Sequence, residues 1–511
     1  MDDDKGTVSL WTATDETPAR RQLTRDQKAD VCVVGAGIAG MTTAYLLGKA
    51  GKKVVVLDDG EIGGGETAHT TAHLTAALDD RYYRLERMHG ELGARLAAES
   101  HSEAVNQIET IVREESIECD FERVDGYLFL AEGDVRDTLE RELEACHRAG
   151  LADVRLVGRA PIAAFDSGPC LVFPRQGQFH PLKYLGGLAK AIERDGGRIF
   201  TGAHVTSVTG KRVITVAIGD GGKMKVKAKA CVVATNSPIT DMYVTHVKQA
   251  PYRTFVVGFR VPADSLPHLL LWDTGDPYHY IRTYRDLDGA GVLIVGGEDH
   301  KTGQADDAET RFDAIEQWTR THFRIAGETR YRWSGQVLEP ADGMAMIGHN
   351  PGDNPNVYIC TGDSGNGMTH GTIAGILLTD LIQKRSNPWT TLYDPNRGMV
   401  SRSSVKDLAK ENINVALQYA KDYVHPSDVG SEDEIPSGSG AVIREGRQIL
   451  AVFRDEAGAL HKRSAKCTHL KCIVHWNSTE SSWDCPCHGS RFDPMGKVLN
   501  GPAVTGLEEV E

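Results

Sequence analysis

Apolar and polar positions alternate differently in successive parts of the chain. Short runs of consecutive apolar residues, separated by stretches of helical periodicity, fill residues 30–235 and predict buried strands alternating with helices. Strand-like runs dominate residues 250–340, whereas residues 356–385 return to a strand, a glycine-rich turn and an apolar helix. Residues 401–424 fit one long, mostly polar helix, and residues 441–511 are all-β in character. The pattern therefore predicts an α/β body followed by a small all-β unit.

The α/β body opens with a strand–turn–helix–strand unit. Residues 30–34 predict a buried strand, residues 41–50 a helix and residues 53–58 a second strand. The turn before the helix reads Gly35-Ala36-Gly37-Ile38-Ala39-Gly40. In this context a GxGxxG sequence indicates dinucleotide binding, because the free N–H groups and positive dipole of the helix N-terminus face the pyrophosphate.

Each glycine of this turn has a separate predicted role. Gly35 permits the tight turn, Gly37 lets the backbone approach a pyrophosphate, and Gly40 lets the helix pack on the strand. Asp58 ends the second strand, where an acid bonds ribose hydroxyls and disfavours a 2′-phosphate. The residues alone therefore predict FAD or NAD, held by Gly35, Gly37, Ile38, Ala39, Gly40 and Asp58.

Length and net charge indicate how many folding units to expect and which classes of protein can be excluded. At 511 residues the chain is long for one core, so two or three folding units are expected. A formal net charge of −14 argues against nucleic-acid binding, and no apolar run of about 20 residues predicts a membrane span. The N-terminus lacks the apolar region of a secretory signal, and Arg20-Arg21 precedes polar residues rather than a hydrophobic run. We expect a cytoplasmic protein.

Ten cysteines are present, and four of them lie within 21 residues near the end of the sequence. There Cys467-Thr468-His469 is followed by Cys485-Pro486-Cys487-His488. Two cysteines and two histidines at this spacing suit a Rieske [2Fe–2S] centre, in which two thiolates hold one iron and two imidazoles hold the other. The alternative is a Cys2His2 zinc site. The other cysteines are scattered, as in a reducing compartment with one specialised metal site.

The C-terminal segment resembles the Rieske family in three loops, residues 467–472, 485–492 and 501–503. The resemblance implies the cluster ligands Cys467, His469, Cys485 and His488. It also implies a disulfide between Cys472 and Cys487, a pair that ring-hydroxylating oxygenases usually lack, so the segment is more similar to the bc1-type branch. Phe492 stands where high-potential members carry Tyr. One hydrogen-bond donor fewer predicts an intermediate reduction potential.

Residues 30–395 resemble the D-amino-acid-oxidase (DAO) family of flavoproteins. Beyond the glycine turn, the matching pieces are residues 180–185, 232–236, 340–348 and 361–369. The resemblance implies FAD rather than NAD, and an α/β fold in which an FAD-binding Rossmann-like unit carries an antiparallel-sheet substrate domain. In the family the last two pieces lie against the flavin, which implies contacts from Asp342, Gly343, Gly362, Gly365, Asn366, Gly367 and Met368. The alternative for residues 361–371 is a plain flexible turn.

The loop of residues 63–73 is a second expected flavin contact. In the family this loop runs beside the flavin, which implies contacts from His69, Thr70 and Thr71. Some relatives, such as dimethylglycine dehydrogenase, bond a histidine of this loop covalently to the flavin, and His69 occupies that place by approximate alignment. The alternatives are that His69 only contacts FAD, or that it is a loop histidine satisfied by its own neighbours.

Alternation along one strand predicts the substrate contacts. Tyr278, Tyr280 and Arg282 are two residues apart and therefore share one strand face. A guanidinium fork beside two phenols suits a substrate carboxylate. We expect these three residues to bind the substrate and to act in catalysis. The alternative is that Arg282 makes a structural salt bridge and the tyrosines lie at the edge of the core.

Four parts of the chain are expected from these patterns. They are an N-terminal extension (1–29), a DAO-type FAD-binding and substrate unit (30–400), a helix and linker (401–429) and an all-β Rieske unit (430–511). The linker is predicted because residues 426–440 are rich in Ser, Gly, Pro and acids. The substrate sheet is expected mainly from residues 120–180 and 250–340.

The two predicted cofactors together favour a dehydrogenase. FAD would accept a hydride from the C–N bond of an amine or amino-acid-like substrate, and the [2Fe–2S] cluster would pass electrons singly to an external acceptor. One alternative sends electrons from the cluster to FAD for a reductive or oxygenating reaction. Two further alternatives are an electron-transfer or redox-sensing flavoprotein without turnover, and an oxidase whose Rieske unit is structural.

Overall fold

A computed structural model of the chain describes residues 8–15, 20–219, 223–240, 245–352, 354–398, 402–424 and 427–510. Parts of the expected N-terminal extension, and residues 401, 425 and 426 of the expected helix and linker, lie outside these ranges. Within the ranges the chain forms an α/β body and a small all-β unit, as the apolar pattern predicts.

Helices occur at each predicted position and at several others. In chain order they are α1 (Leu10–Thr14), α2 (Ile38–Lys49), α3 (Glu66–His69), α4 (Tyr82–Glu115), α5 (Arg136–Arg148), α6 (Pro181–Arg194), α7 (Ala308–His322), α8 (Gly367–Ile382), α9 (Thr390–Tyr393) and α10 (Arg402–Val424). Two 3-10 turns are His246–Lys248 and Glu432–Glu434. No helix in the described ranges is long and apolar enough to cross a bilayer.

The strands follow the predicted order along the chain. Those of the body are β1 (Gln27–Lys28), β2 (Val31–Val34), β3 (Val54–Leu57), β4 (His73–Leu74), β5 (Glu122–Phe129), β6 (Arg155–Val157), β7 (Cys170–Gln178), β8 (Arg198–Phe200), β9 (Val205–Thr209), β10 (Ile214–Ile218), β11 (Met224–Ala228), β12 (Ala230–Val233), β13 (Gln249–Val261), β14 (Leu270–Asp273), β15 (Tyr280–Arg285), β16 (Gly291–Lys301), β17 (Thr329–Pro340), β18 (Met346–His349) and β19 (Val357–Thr361). Those of the C-terminal unit are β20 (Ser439–Glu445), β21 (Gln448–Arg454), β22 (Leu460–Ser464), β23 (His475–Asn477), β24 (Ser482–Asp484), β25 (Arg491–Phe492) and β26 (Val498–Asn500).

The predicted dinucleotide unit forms the centre of a six-stranded sheet. The strand order is β18-β19-β12-β2-β3-β8, and neighbours are parallel except β18 and β19. Every residue of β2, β3 and β12 is buried, because parallel strands are covered on both faces and therefore consist of continuous apolar runs. This sheet places the glycine turn between β2 and α2.

A nine-stranded, mostly antiparallel sheet follows the path β17-β13-β16-β15-β14-β5-β7-β4, with β6 paired to β7. Apart from β4 it is drawn from residues 120–180 and 250–340. The sequence pattern predicts only strands between residues 250 and 340 and misses α7. The buried residues Phe312, Ile315 and Thr319 of α7 have helical spacing, but strand-like runs on both sides obscure so short a pattern.

The C-terminal unit contains two antiparallel sheets, β20-β21-β22 and β23-β24-β25-β26. The first includes a hairpin formed by β20 and β21. A four-stranded sheet of the body, β1-β11-β10-β9, completes the set.

Helix α10 contacts both the body and the C-terminal unit. Toward the body, Glu411 pairs with Lys301 at 2.5 Å and Asn412 Nδ2 donates to Val247 O at 2.9 Å. Toward the C-terminal unit, Tyr423 Oη donates to Lys471 O at 3.0 Å. The helix therefore bridges the two units.

Candidate functional site

A cavity of about 690 Å³, here the central cavity, is lined by residues of both large sheets of the body. Most residues predicted to bind a flavin line it, although they come from distant parts of the sequence. They are Gly35, Gly37, Ile38, Ala39, Asp58, His69, Thr70, Thr71, Gly362, Gly365, Asn366, Gly367 and Met368.

The glycine turn has the geometry that a pyrophosphate site needs. A Cβ on Gly35, whose φ is +104°, would lie 2.2 Å from Ala234 O. A Cβ on Gly40 would lie 1.9 Å from Gly35 O, so only glycine lets α2 approach β2 this closely. At the cavity wall, a Cβ on Gly37 would approach Thr67 Oγ1 to 3.1 Å. These contacts agree with the roles predicted for Gly35 and Gly40.

Asp58 lies at the end of β3 and faces the central cavity. Its carboxylate accepts hydrogen bonds from Ala36 N at 2.6 Å and from Gly60 N at 2.8 Å. Burial raises the pKa of Asp58 to about 6, against the lowering effect of these two bonds. The carboxylate therefore fixes the turn around the glycines as well as facing the predicted ribose position.

Buried donors hold four consecutive carbonyl oxygens of the loop after α3. Trp333 Nε1 donates to His69 O at 2.9 Å and Trp11 Nε1 donates to Thr70 O at 2.5 Å. Arg282 Nη1 donates to Thr71 O at 3.1 Å and to Ala72 O at 2.9 Å. The loop predicted to run beside a flavin is therefore fixed from behind, with the side chain of His69 at the cavity wall.

The expectation that Arg282 binds a substrate carboxylate is not supported. Arg282 is 1% exposed, does not line the central cavity, and donates further to Phe179 O at 3.2 Å. Burial lowers its pKa to about 9. Strand alternation correctly places Arg282 on the buried face of β15. At Arg282, however, this face contacts the loop after α3 rather than the cavity.

The two tyrosines of the same prediction do line the central cavity. Tyr278 Oη donates to Asp79 Oδ2 at 2.7 Å, and the hydroxyls of Tyr280 and Thr254 lie 2.6 Å apart. Burial raises the pKa of both phenols, so they are protonated donors at neutral pH. They remain candidates for contact with a substrate.

Asp342 and Gly343 are predicted flavin contacts that the structure places away from the cavity lining. Asp342 forms a two-point ion pair with Arg397, with Nε and Nη2 both at 2.7 Å. Gly343 has a φ of +70°, and a Cβ there would lie 2.7 Å from Asp80 Oδ2. Both residues shape the turn after β17 and are not retained as flavin contacts.

Among the cavity-wall carboxyl groups that were not predicted site residues, four have a raised pKa: Asp79, Asp299, Glu339 and Asp363. Burial raises the pKa of Asp79 to about 6 and those of Asp299 and Asp363 to about 7, and it also raises that of Glu339. A sequence signal existed for two of them: Asp299 follows a Gly-Gly-Glu segment that interrupts a strand-like run, and Asp363 lies within the glycine-rich piece of residues 361–369. Asp79 and Glu339 are brought to the cavity by long-range packing.

The C-terminal unit brings together the four residues predicted to bind a cluster. Cys467 and Cys485 are buried and not disulfide-bonded, and the rings of His469 and His488 lie 5.1 Å apart between centroids. His488 Nδ1 is buried without a hydrogen-bond partner among the described residues. A ring nitrogen left in this state fits a metal ligand.

Cys472 and Cys487 form a disulfide that joins the two ligand loops. The sulfur atoms of Cys472, Cys485 and Cys487 lie within 4.8 Å of one another, but two of them belong to the disulfide and cannot bind metal as thiolates. Ser490 Oγ accepts a hydrogen bond from Ala503 N at 3.1 Å, so the loop of residues 501–503 packs onto the second ligand loop.

The two histidines predicted to bind the cluster face the body of the protein. The ring of His246, in the 3-10 turn before β13, lies 5.0 Å from that of His469 and 6.0 Å from that of His488. Residues 497–504, here called the wall segment, extend from the C-terminal unit into the lining of the central cavity, where every residue except Pro502 takes part. The two candidate cofactor sites are therefore adjacent in one molecule.

Comparison with known families now decides the identity of the body. The model for FAD dependent oxidoreductases (DAO) matches residues 30–381. The chain belongs to the DAO family. This DAO-type oxidoreductase also carries a Rieske [2Fe-2S] domain, whose model matches residues 425–511. Its cofactors are therefore FAD and a [2Fe–2S] cluster, and both fit the residues described above.

Curated relatives share one or both parts of this DAO-type oxidoreductase. It is 33% identical over 507 residues to YhfW of Bacillus subtilis (strain 168), which is named as a Rieske 2Fe-2S iron-sulfur protein, with 98% of this chain and 97% of the relative covered. It is 28% identical over 365 residues to gamma-glutamylputrescine oxidoreductase of Escherichia coli (strain K12), covering 69% of this chain and 83% of the relative.

A solved structure agrees with the fold of the body. Glycine oxidase from Geobacillus kaustophilus superimposes with a TM-score of 0.60 at 15% identity, covering 73% of this chain and 99% of the oxidase. The predicted fold class, an α/β DAO-type body with a C-terminal all-β Rieske domain, is confirmed.

Proposed function

We propose that this DAO-type oxidoreductase oxidises the C–N bond of an amine and delivers the electrons to an external acceptor through its Rieske centre. FAD, when bound, supplies the hydride-accepting chemistry, and the cluster supplies one-electron transfer. The protein contributes the geometry. It positions the substrate against the flavin, excludes water and holds the second redox centre close by.

One observation is the main support for electron transfer between the two cofactor sites. The wall segment lines the central cavity at residues 497–501 and, two residues later, donates from Ala503 N to Ser490 beside the cluster ligands. A single stretch of eight residues therefore touches both candidate cofactor sites. His246 supports the same conclusion, because its ring packs against both ligand histidines from the side of the body. The wall segment and His246 would therefore join the residues that would hold FAD to those that would hold the cluster.

The charge of the central cavity favours an amine over a free amino acid. Among the described residues that line it, Lys497 of the wall segment is the only lysine or arginine. With Arg282 bonded elsewhere, no guanidinium is available there for a substrate carboxylate. Asp79 and Asp299 instead lie beside the phenols of Tyr278 and Tyr280. Carboxylates and phenols are suitable partners for an ammonium group.

Substrate affinity is expected to depend on pH through these carboxyl groups. Because burial raises the pKa values of Asp79 and Asp299 to about 6 and about 7, both groups gain negative charge as the pH rises through that range. An ammonium substrate then binds more tightly, so its KM should fall by about tenfold between pH 5.5 and pH 8, roughly the value of one charged hydrogen bond. In Asp299→Asn, the part of the fall in KM that occurs around pH 7 should be absent. A KM that rises over this range would contradict an ammonium-binding role.

Anaerobic mixing tests the proposed function as a whole. The holoenzyme is mixed with a panel of monoamines, diamines, N-methyl amines and amino acids, and flavin absorbance and the Rieske EPR signal are followed together. We expect an amine to bleach the flavin first and the cluster signal to appear afterwards. Bleaching without cluster reduction would contradict the relay. Reduction of the cluster by NADH before the flavin, without any amine, would show that electrons flow from the cluster to FAD and would contradict the proposed direction.

A further inference from the structure

The central cavity has one wall that lies outside the DAO match. The match ends at residue 381, yet Lys497, Val498, Leu499, Asn500, Gly501, Ala503 and Val504 line the cavity from the Rieske domain. We propose that the wall segment is part of the FAD site, and that the Asn500–Glu66 contact is the latch that holds it there. FAD retention then depends on docking of the Rieske domain.

The latch joins three elements through one carboxylate. Asn500 Nδ2 donates to Glu66 Oε1 at 2.8 Å, and Gln336 N, in β17, donates to Glu66 Oε2 at 2.6 Å. Glu66 begins α3, which ends at His69 on the cavity wall. Both oxygens of Glu66 are therefore used, one by the Rieske domain and one by the substrate sheet. Loss of Asn500 removes this tie between the wall segment and the body and leaves Glu66 with one partner fewer.

A second contact anchors the other end of the wall segment. His204 Nε2 lies 2.8 Å from Val504 O, and because a carbonyl oxygen only accepts, the imidazole is the donor. His204 also lines the central cavity, beside the nucleotide end marked by Asp58. Between the two anchors, Gly501 packs against the backbone after β12, where a Cβ would lie 3.4 Å from Ser237 O. The wall segment is thus tied to the body at Glu66 and at His204, with the cavity between them.

Such a wall links cofactor binding to domain docking. A ligand that contacts the wall segment stabilises the docked arrangement, and docking in turn tightens the ligand by the same factor. FAD contacts the body in any arrangement, because the glycine turn belongs to the body alone. The contribution of the wall segment therefore appears as slower FAD release rather than as an absolute requirement.

Substitution of Asn500 tests the latch. Asn500→Ala is expected to speed FAD release from the full-length holoenzyme about tenfold, the usual effect of losing a hydrogen bond to a charged group. Asn500→Asp is expected to speed it further, because two carboxylates would then face each other. Release is followed by the fluorescence of free FAD after gel filtration, and EPR of the reduced cluster verifies that the Rieske domain is still folded.

A matched control separates the latch from general loosening of the interface. Ser478 N and Oγ also bond across the interface, to Asp306 Oδ1 at 3.0 and 2.8 Å, but neither residue lines the central cavity. Ser478→Ala should leave FAD release unchanged. Wild-type release in both Asn500 variants would overturn the proposal, and so would equal acceleration in Ser478→Ala.

The unmodified protein provides a test that does not depend on variant folding. Adding FAD to the flavin-free full-length chain should slow hydrogen exchange in residues 498–504 and change residues 478–482 much less. Equal protection of both segments, or none in residues 498–504, would overturn the assignment. This inference rests on FAD as the ligand of the central cavity and not on the amine or the direction of electron flow, so it can fail while the proposed function stands.

Discussion

Replacement of Cys485 by alanine is expected to remove the [2Fe–2S] cluster and abolish electron delivery to an external acceptor. Cys485 is buried beside Cys467, and the other two cysteines nearby are joined in a disulfide. No spare thiolate is therefore available to take its place, and an alanine methyl group cannot bind iron. Because Cys485 does not line the central cavity, flavin reduction by the substrate should continue.

The Cys485→Ala enzyme is compared with wild type by iron content, by EPR after dithionite reduction, and by single-turnover flavin bleaching. Cys170→Ala is a suitable control, because Cys170 is a buried free cysteine in β7 that lines neither site. We expect the control to retain its cluster. Full turnover with an external acceptor in Cys485→Ala would show that electrons bypass the Rieske domain. The role of that domain would then be structural.

Glu480→Ala is expected to have the largest effect on stability. Glu480 is bonded to Arg253 of β13, to Arg491 of β25 and to Ser334 of β17, so it joins the body to the Rieske domain. Its side chain is 11% exposed, and those of Arg253 and Arg491 are 3% and 9% exposed. Removing the carboxylate leaves two buried cations without their shared partner. A loss of this kind typically destabilises a protein by about 3–5 kcal/mol.

Urea unfolding followed by flavin fluorescence and by visible circular dichroism of the cluster measures this effect. We expect the cluster signal of Glu480→Ala to be lost at a lower urea concentration than in wild type. Glu508→Ala is the control, because the Glu508 side chain is 69% exposed and, among the described residues, pairs only with the exposed Lys471. Such surface pairs contribute about 0–1 kcal/mol. Equal destabilisation by both substitutions would contradict the assigned role of Glu480.

The same carboxylate gives the interface a defined acid sensitivity. Burial alone would raise the pKa of Glu480, but Arg253 and Arg491 outweigh it and lower the pKa from 4.5 to about 2. A lowered pKa in the folded state means that the stabilisation is fully present above pH 4.5 and is lost as the pH falls toward 2. The Glu480→Ala protein should lack this component of acid unfolding.

Local sequence signals predicted the parts of the site that local structure creates. The glycine turn, Asp58 and the cluster loops each lie within one short segment, and their spacing determines the geometry. Arg282 shows the limit of such reasoning. Alternation identified its strand face, but the loop that covers this face comes from α3, about 210 residues earlier in the chain. Nothing within the strand itself distinguishes a cavity from packed backbone.

Contacts between the two domains were also beyond the reach of sequence patterns. Glu480 lies in a turn and Asn500 ends the short strand β26, and each acquires its role from a residue more than 140 positions away. The carboxyl groups of Asp79 and Glu339 in the cavity wall were hidden for the same reason. A lone Asp in a sequence is usually solvated, and only the packing around it raises its pKa.

The bridging helix α10 restricts the movement of the Rieske domain relative to the body. Its contacts reach Lys301 and Val247 in the body and Lys471 within the first predicted ligand loop. A Rieske domain that moves between an electron donor and an acceptor needs a flexible connection to the rest of the protein. Here α10 is bonded to both units and holds the Rieske domain against the body. Under the proposed function, electron exchange between the centres would then be unimolecular, at a rate independent of protein dilution. Only the proposed outward step to an acceptor would require a collision.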